Sequence, residues 1–199
     1  MVARYDRPMQ SAGGPDGRLL VVVSGSPGSG KTTLAGRLSE ELGLMLLAKD
    51  QIKEALAEAV GYPDDVAASA RLGHAAYAAT FALAERTVAS GKGVILESNF
   101  RRGTSEPEIA AIAGGSEVRL IHCSVPPEVA RLRYGSRFKG GERHPAHLDA
   151  EGDEALAADL ADGRYEPIEL GCPTLTVDTS SGYRPALETI LAFVAGGAR

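Results

Sequence analysis

The chain has no tryptophan, two cysteines and an aromatic content of 5%. So few aromatic rings leave little to stack bases on, which argues against a surface built for single-stranded nucleic acid. Cys123 and Cys172 stand 49 residues apart. That is too few for a disulfide framework and too far for a local metal-ligand pair, so both read as buried, reduced thiols beside apolar runs. No uninterrupted run of apolar residues reaches the roughly 18 that a membrane-spanning helix needs. The first residues lack the apolar core of a secretion signal, so the expected compartment is the cytoplasm. Positive charge is also in deficit: 21 Lys and Arg stand against 26 Asp and Glu, a net charge of −5. A general nucleic-acid coat wants the reverse, which leaves room only for a basic cleft on an acidic body.

What the chain does have is 199 residues, 44% of them hydrophobic, enough for one well-buried core and too few for two ordinary domains. Residues 1–18 mix Pro, Gly, Ser and charges without period and read as a mobile leader. One domain is expected over 19–199. It opens with Leu19-Leu-Val-Val-Val-Ser24, a short Val-rich run typical of a strand buried on both faces. Strand and helix patterns then alternate. Further strands are expected at 44–48, 93–97, 117–123 and 174–178. Helices are expected at 31–42, 50–60, 63–90, 104–113, 126–138 and 184–194. Such alternation predicts an α/β fold, with a five-stranded parallel sheet sandwiched between helices. Residues 138–171 interrupt the rhythm with Gly140-Gly141, His144-Pro145 and eight acids between Asp149 and Glu169. An insertion of that length is expected to act as a lid and to hold one short helix near 153–160.

Between the first strand and the first helix lies Gly25-Ser26-Pro27-Gly28-Ser29-Gly30-Lys31-Thr32. It fits G-x-x-x-x-G-K-[ST] at each fixed position and in the required strand–turn–helix setting. Glycines let the backbone close on phosphates, consecutive N–H groups form an anion nest, and the helix N-terminus adds positive potential. Lys31 is expected to reach the β- and γ-phosphates, the Thr32 hydroxyl to ligate Mg²⁺, and Thr33 to meet the α-phosphate. The motif therefore predicts ATP or GTP with Mg²⁺.

Three further features accompany the motif: Leu46-Leu-Ala-Lys-Asp50 after the second strand, Arg131-Leu-Arg133-Tyr-Gly-Ser-Arg137 after the fourth, and the lid. Together they resemble the small P-loop kinases and phosphotransferases that include chloramphenicol phosphotransferase, gluconate and shikimate kinases, polynucleotide kinase and zeta toxins. The similarity spans roughly residues 19–194. It implies that Asp50 faces the acceptor hydroxyl as general base or orienting group, although Asp also suits a helix N-cap here. Glu97 stands where relatives often carry an Asp that holds magnesium through water; a substrate-facing role is the other option. Arg133 and Arg137, four residues apart on one helix face, match lid arginines that spread charge over the transferred phosphate. A basic helix paired with the acidic lid is the plainer reading. The catalytic set expected is Lys31, Asp50, Arg133 and Arg137. Asp178 and Ser180, after the fifth strand, are expected with Arg133 near the nucleotide. Substrate contacts are expected from Asp50, Lys53, Tyr77, Glu97, Asn99 and Arg101. Tyr77 shares a face with His74 and Phe81, which is also the pattern of a core stripe.

The function these features predict is ATP-dependent transfer of the γ-phosphate to a hydroxyl of a small molecule, an antibiotic or natural product among the candidates. A metabolite or sugar-nucleotide kinase, a polynucleotide 5′-hydroxyl kinase and a regulatory ATPase without acceptor are the alternatives. The expected protein is a monomer or homodimer without membrane or nucleic-acid partners.

Overall fold

Seven residues, Leu19–Gly25 (β1), are buried without exception, and the rest of the architecture is arranged around them. The computed structural model describes residues 18–139, 143–148 and 152–196. Residues 1–17 of the predicted leader therefore lie outside the described residues, as do 140–142 and 149–151 of the predicted lid. After β1 come α1 (Lys31–Leu42), β2 (Met45–Ala48), α2 (Lys49–Val60), α3 (Val66–Ala89), β3 (Val94–Glu97), α4 (Glu106–Ala113), β4 (Glu117–Ser124), α5 (Pro127–Lys139), α6 (Gly152–Ala161), β5 (Thr174–Asp178) and α7 (Leu187–Val194).

The strands pair in parallel in the order β2-β3-β1-β4-β5. Side chains alternate across a strand, so a strand covered on both sides is apolar at every position. Leu19, Val21 and Val23 pack on one face with Leu34, Ala35 and Leu38 of α1 and Ile190 and Val194 of α7. Leu20 and Val22 pack on the other with Ala84 and Val88 of α3 and Ile109 and Ile112 of α4. Each such aliphatic contributes about 1.5–3 kcal/mol relative to leaving it exposed. Central β1 thus delivers the turn after Gly25 from a rigid base.

Local chemistry sets the other boundaries. Gly43, with φ 65°, ends α1 in the left-handed conformation that a side chain resists. Asp65 caps α3, its carboxylate accepting from the Ala68 N–H at 2.6 Å. α3 is 24 residues long, about 36 Å at 1.5 Å per residue, so it spans the domain and walls the space above the sheet. Among the described residues no helix is long and apolar enough to cross a membrane. Cys123 and Cys172 are free thiols; burial pushes that of Cys123 up to about 12.

Candidate active site

The turn from Gly25 to Gly30 is held by its backbone. Gly25, Gly28 and Gly30 have φ of 147°, 81° and 76°. A Cβ on Gly28 would fall 2.4 Å from the Ala130 carbonyl oxygen of α5, and one on Gly25 would fall 2.4 Å from that of Cys123. Glycine is needed for conformation and for space. The Thr179 hydroxyl donates to the Ser29 carbonyl at 2.5 Å, tying the turn to the loop after β5. α1 begins with no side-chain cap and no acid in its first turn. Its first N–H groups are thus left for an anion, which fits a phosphate chain. Lys31 is buried and donates to the Ser26 carbonyl at 3.2 Å, within the same concavity.

Glu97 closes the other side. It ends β3 in register with Val23, is 3% exposed, and accepts from the Thr32 hydroxyl at 3.3 Å. Burial raises its pKa against the pull of Lys31. A hydroxyl and a buried carboxylate side by side are the hard oxygen donors that suit Mg²⁺.

Asp50 lies in the first turn of α2 and accepts from Lys49 at 2.9 Å. Burial pushes its carboxyl up, but the ammonium of Lys49, with help from His147 and Lys31, overcomes this and holds it down to about 2. From Lys31 and Thr32, past Asp50, runs a cavity of about 470 Å³. Its far wall is α3, through Ser69, Gly73, His74 and Tyr77; Asn99, Arg101, Arg143 and Tyr165 line it too, with Tyr134, Leu148 and Leu156 as apolar patches. Lys53 is buried and donates to the Ser69 hydroxyl at 2.8 Å. That hydroxyl donates to the Ala146 carbonyl at 2.9 Å and accepts from the Leu148 N–H at 3.2 Å. Residues 143–148 are further pinned to α2 by His147 Nε2 on Glu54 at 2.9 Å. Burial lowers the His147 pKa although Asp50 and Glu54 oppose it, which keeps the imidazole neutral at pH 7. At the other end Asp159 of α6 receives Arg101 at 2.9 Å, Tyr165 at 3.2 Å and Arg164 at 3.1 Å.

The expected residues are thus sorted by the fold. Pro27, Gly28, Lys31 and Thr32 of the turn face one space with Asp50, and Lys53, Tyr77, Asn99 and Arg101 are on its wall. Tyr77 donates to Glu108 at 2.7 Å; Phe81 packs on the core. Glu97 is not among the described residues lining the cavity and meets Thr32 instead. Arg133 is not among the described residues lining the cavity; its guanidinium donates to the Thr179 and Ser180 carbonyls at 2.9 and 2.8 Å, and its Nη1 lies 3.9 Å from where a Cβ on Gly30 would fall. Asp178 accepts from the Ser180 N–H at 2.8 Å and shapes the same turn. The side chain of Arg137 lies outside the described residues. Sequence reasoning overlooked Lys49, Ser69, Gly73, Glu54 and Asp159. Only Gly73 carried a signal, a glycine alone inside a helical run.

A sequence model of the AAA domain family matches residues 20–158. The chain belongs to this family of small P-loop kinases. A candidate kinase from Chloroflexus aurantiacus, known from its crystal structure, is 31% identical, with a TM-score of 0.80 over 92% of this chain and 100% of its own. A sugar kinase from Janibacter sp. (22% identity, TM-score 0.57, 91% of this chain and 96% of that one) shares the fold. So does shikimate kinase from Acinetobacter baumannii in complex with shikimate (20%, 0.54, 89% and 92%). Cytidylate kinase of Ignicoccus hospitalis is 48% identical over 42 residues, which span 21% of this chain and 24% of that protein. The family member therefore has a kinase-like P-loop fold, and its acceptor is a question for the cavity.

Proposed function

We propose that the protein transfers the γ-phosphate of ATP to a hydroxyl of a small polar molecule seated between Asp50 and α3. The observation that carries this reading is one cavity shared by Lys31 and Thr32 of the glycine-rich turn and by Asp50. A switch ATPase has no use for a cavity that runs on from Lys31 and Thr32 past Asp50 to Tyr77, Arg101 and Asp159. Lys49, Lys53, Arg101, Arg143 and Asp159 on the walls favour a polar metabolite over a large apolar natural product.

In the transfer, a bond forms from the acceptor oxygen to the γ-phosphorus as the bond to the β–γ bridging oxygen breaks, and the hydroxyl proton passes to Asp50. A carboxylate held down to about 2 is a weak base. It orients the hydroxyl first and takes the proton late, which suits a loose phosphoryl-transfer transition state. Lys31 and the N–H groups of the turn meet charge on the phosphate oxygens. Magnesium held by Thr32, with Glu97 behind it, would add positive charge there. Arg133 is a positioning residue that clamps the loop at Thr179 and Ser180 to the nucleotide side.

ATP turnover measured with and without a panel of hydroxyl compounds tests this reading, and stimulation by an acceptor is expected. Asp50→Asn should bind ATP normally and lose transfer by about 10²-fold or more. Full transfer by that variant would overturn the assignment of Asp50.

A further inference from the structure

α3 contains ten alanines and a single glycine, Gly73. Glycine inside a helix costs stability relative to alanine, so something other than helix formation keeps it there. The usual structural reasons fail. Gly73 is not among the residues with positive φ. A Cβ at this position would make only ordinary contacts: Cε and Nζ of Lys53 at 3.9 Å and Nζ of Lys49 at 4.0 Å. The missing methyl group is therefore space in the cavity wall, and two ammonium groups lie within 4.0 Å of the point it leaves open.

Those ammonium groups are themselves fixed. Lys49 holds Asp50 and Lys53 holds Ser69, so neither needs ordering when a ligand arrives. Two ammonium groups converging on one gap complement a negative group. Among the described wall residues, five cations (Lys31, Lys49, Lys53, Arg101 and Arg143) stand against two carboxylates, Asp50 and Asp159.

We propose that the gap over Gly73, between Lys49 and Lys53, seats an anionic group of the acceptor, a carboxylate or a phosphate monoester. This inference rests on the phosphotransfer reading and narrows it to acidic hydroxyl compounds. Lys49 touches both Asp50 and the gap, which sets the reacting hydroxyl and the anionic group a few bonds apart.

The test uses the full chain saturated with a non-hydrolysable ATP analogue and Mg²⁺, so that the phosphate turn is filled. Formate and inorganic phosphate are each titrated while the Gly73 amide is followed by NMR. A saturable shift is expected with at least one of them, weakened about tenfold or more in Lys53→Gln and in Gly73→Ala. Formate alone assigns a carboxylate, phosphate alone a phosphate monoester, and both together an anion seat of either kind. No saturable shift with either probe overturns the proposal. Gly73→Ala gives a second check, because its melting temperature should rise by about 2–4 °C while anion affinity falls. Unchanged anion affinity in the stabilised variant would assign the glycine no ligand role. The two readings fail separately. Anion binding at Gly73 without phosphorylation of any acidic hydroxyl compound would sink the phosphotransfer reading alone. Transfer to neutral polyols as fast as to their acidic counterparts would sink the anion seat alone.

Discussion

The two halves of the cavity are built from different materials. The phosphate half is eight consecutive residues, Gly25 to Thr32, shaped by backbone dihedrals and by backbone pressed on backbone. The half proposed for the acceptor is lined and braced by contacts across long stretches of chain: Arg101 with Asp159, Ser69 with the Ala146 carbonyl, Glu54 with His147. A site made of local backbone tolerates almost no change, because its dimensions are those of the peptide itself. A site made of distant side chains can be retuned one residue at a time while the sheet beneath it stays the same.

The same substitution should therefore act in opposite directions in the two halves. Gly28→Ala is expected to have the largest effect. Its Cβ would meet the Ala130 carbonyl oxygen at 2.4 Å with φ at 81°, so α5 must move or the turn must open, at a strain cost of about 1–3 kcal/mol or more. ATP affinity measured by calorimetry should fall by about tenfold to a hundredfold, and the melting temperature should drop. Gly73→Ala should instead raise the melting temperature. If Gly28→Ala kept native ATP affinity, the rigidity assigned to the phosphate half would be wrong.

The contrast also explains what could be read from the sequence. The sheet and its helices were legible because hydrophobic patterns alternate along the chain, as in Leu19 to Val23, apolar throughout; the start of α3 was less so, since the helix expected from 63 begins at Val66 behind the Asp65 cap. The phosphate turn was legible because its chemistry is contiguous. Asp50 was reachable through resemblance alone, and nothing local announced that Lys49 would hold its carboxyl low. Arg133 was singled out by its place on a basic helix face, but that face does not announce the carbonyls of Thr179 and Ser180 that its guanidinium meets beside the turn. Asp159 was invisible: its partners Arg101 and Tyr165 are set by how α6 lies on the loop after β3. Lys53 and Ser69 meet only once α2 and α3 pack.

Glu97 sharpens the comparison from the border between the halves. Burial lifts its pKa in the folded chain, so the unfolded chain gives up this proton more readily. The stability associated with the protonated form is present below the ordinary carboxylate value near 4.5 and is lost as pH rises through the folded value. Glu97→Gln removes that cost. Its melting temperature should exceed the parent's by a few degrees at pH 7.5 and converge with it toward pH 4.5. Mg²⁺-dependent ATP turnover should collapse at the same time. A variant less stable than the parent at pH 7.5 would show that Glu97 is held by compensating contacts, not strained by desolvation.

The smallest effect is expected where residues 143–148 meet α2. Burial lowers the pKa of His147, and Arg143 and Lys53 add to this, while Asp50 and Glu54 pull the other way without prevailing. The folded chain therefore prefers the neutral imidazole. The stability this contributes is complete above the ordinary value of 6.5 and is lost as pH falls through the lower folded value. Glu54, bonded at 2.9 Å, softens the loss because it welcomes the added proton. Relative to the intrinsic rate of free amides at each pH, hydrogen exchange over 143–148 should accordingly speed up by only a few-fold between pH 7.5 and 5.5, the scale of one hydrogen bond worth about 1 kcal/mol. On the same relative scale, exchange in the Gly25–Thr32 turn should stay level. His147→Gln keeps a donor for Glu54 without the titration, so it should flatten the pH dependence at 143–148. If the parent's exchange there is already flat, the segment is held by Ser69 and the Ala146 carbonyl rather than by His147, and the acceptor half is stiffer than its side-chain construction implies.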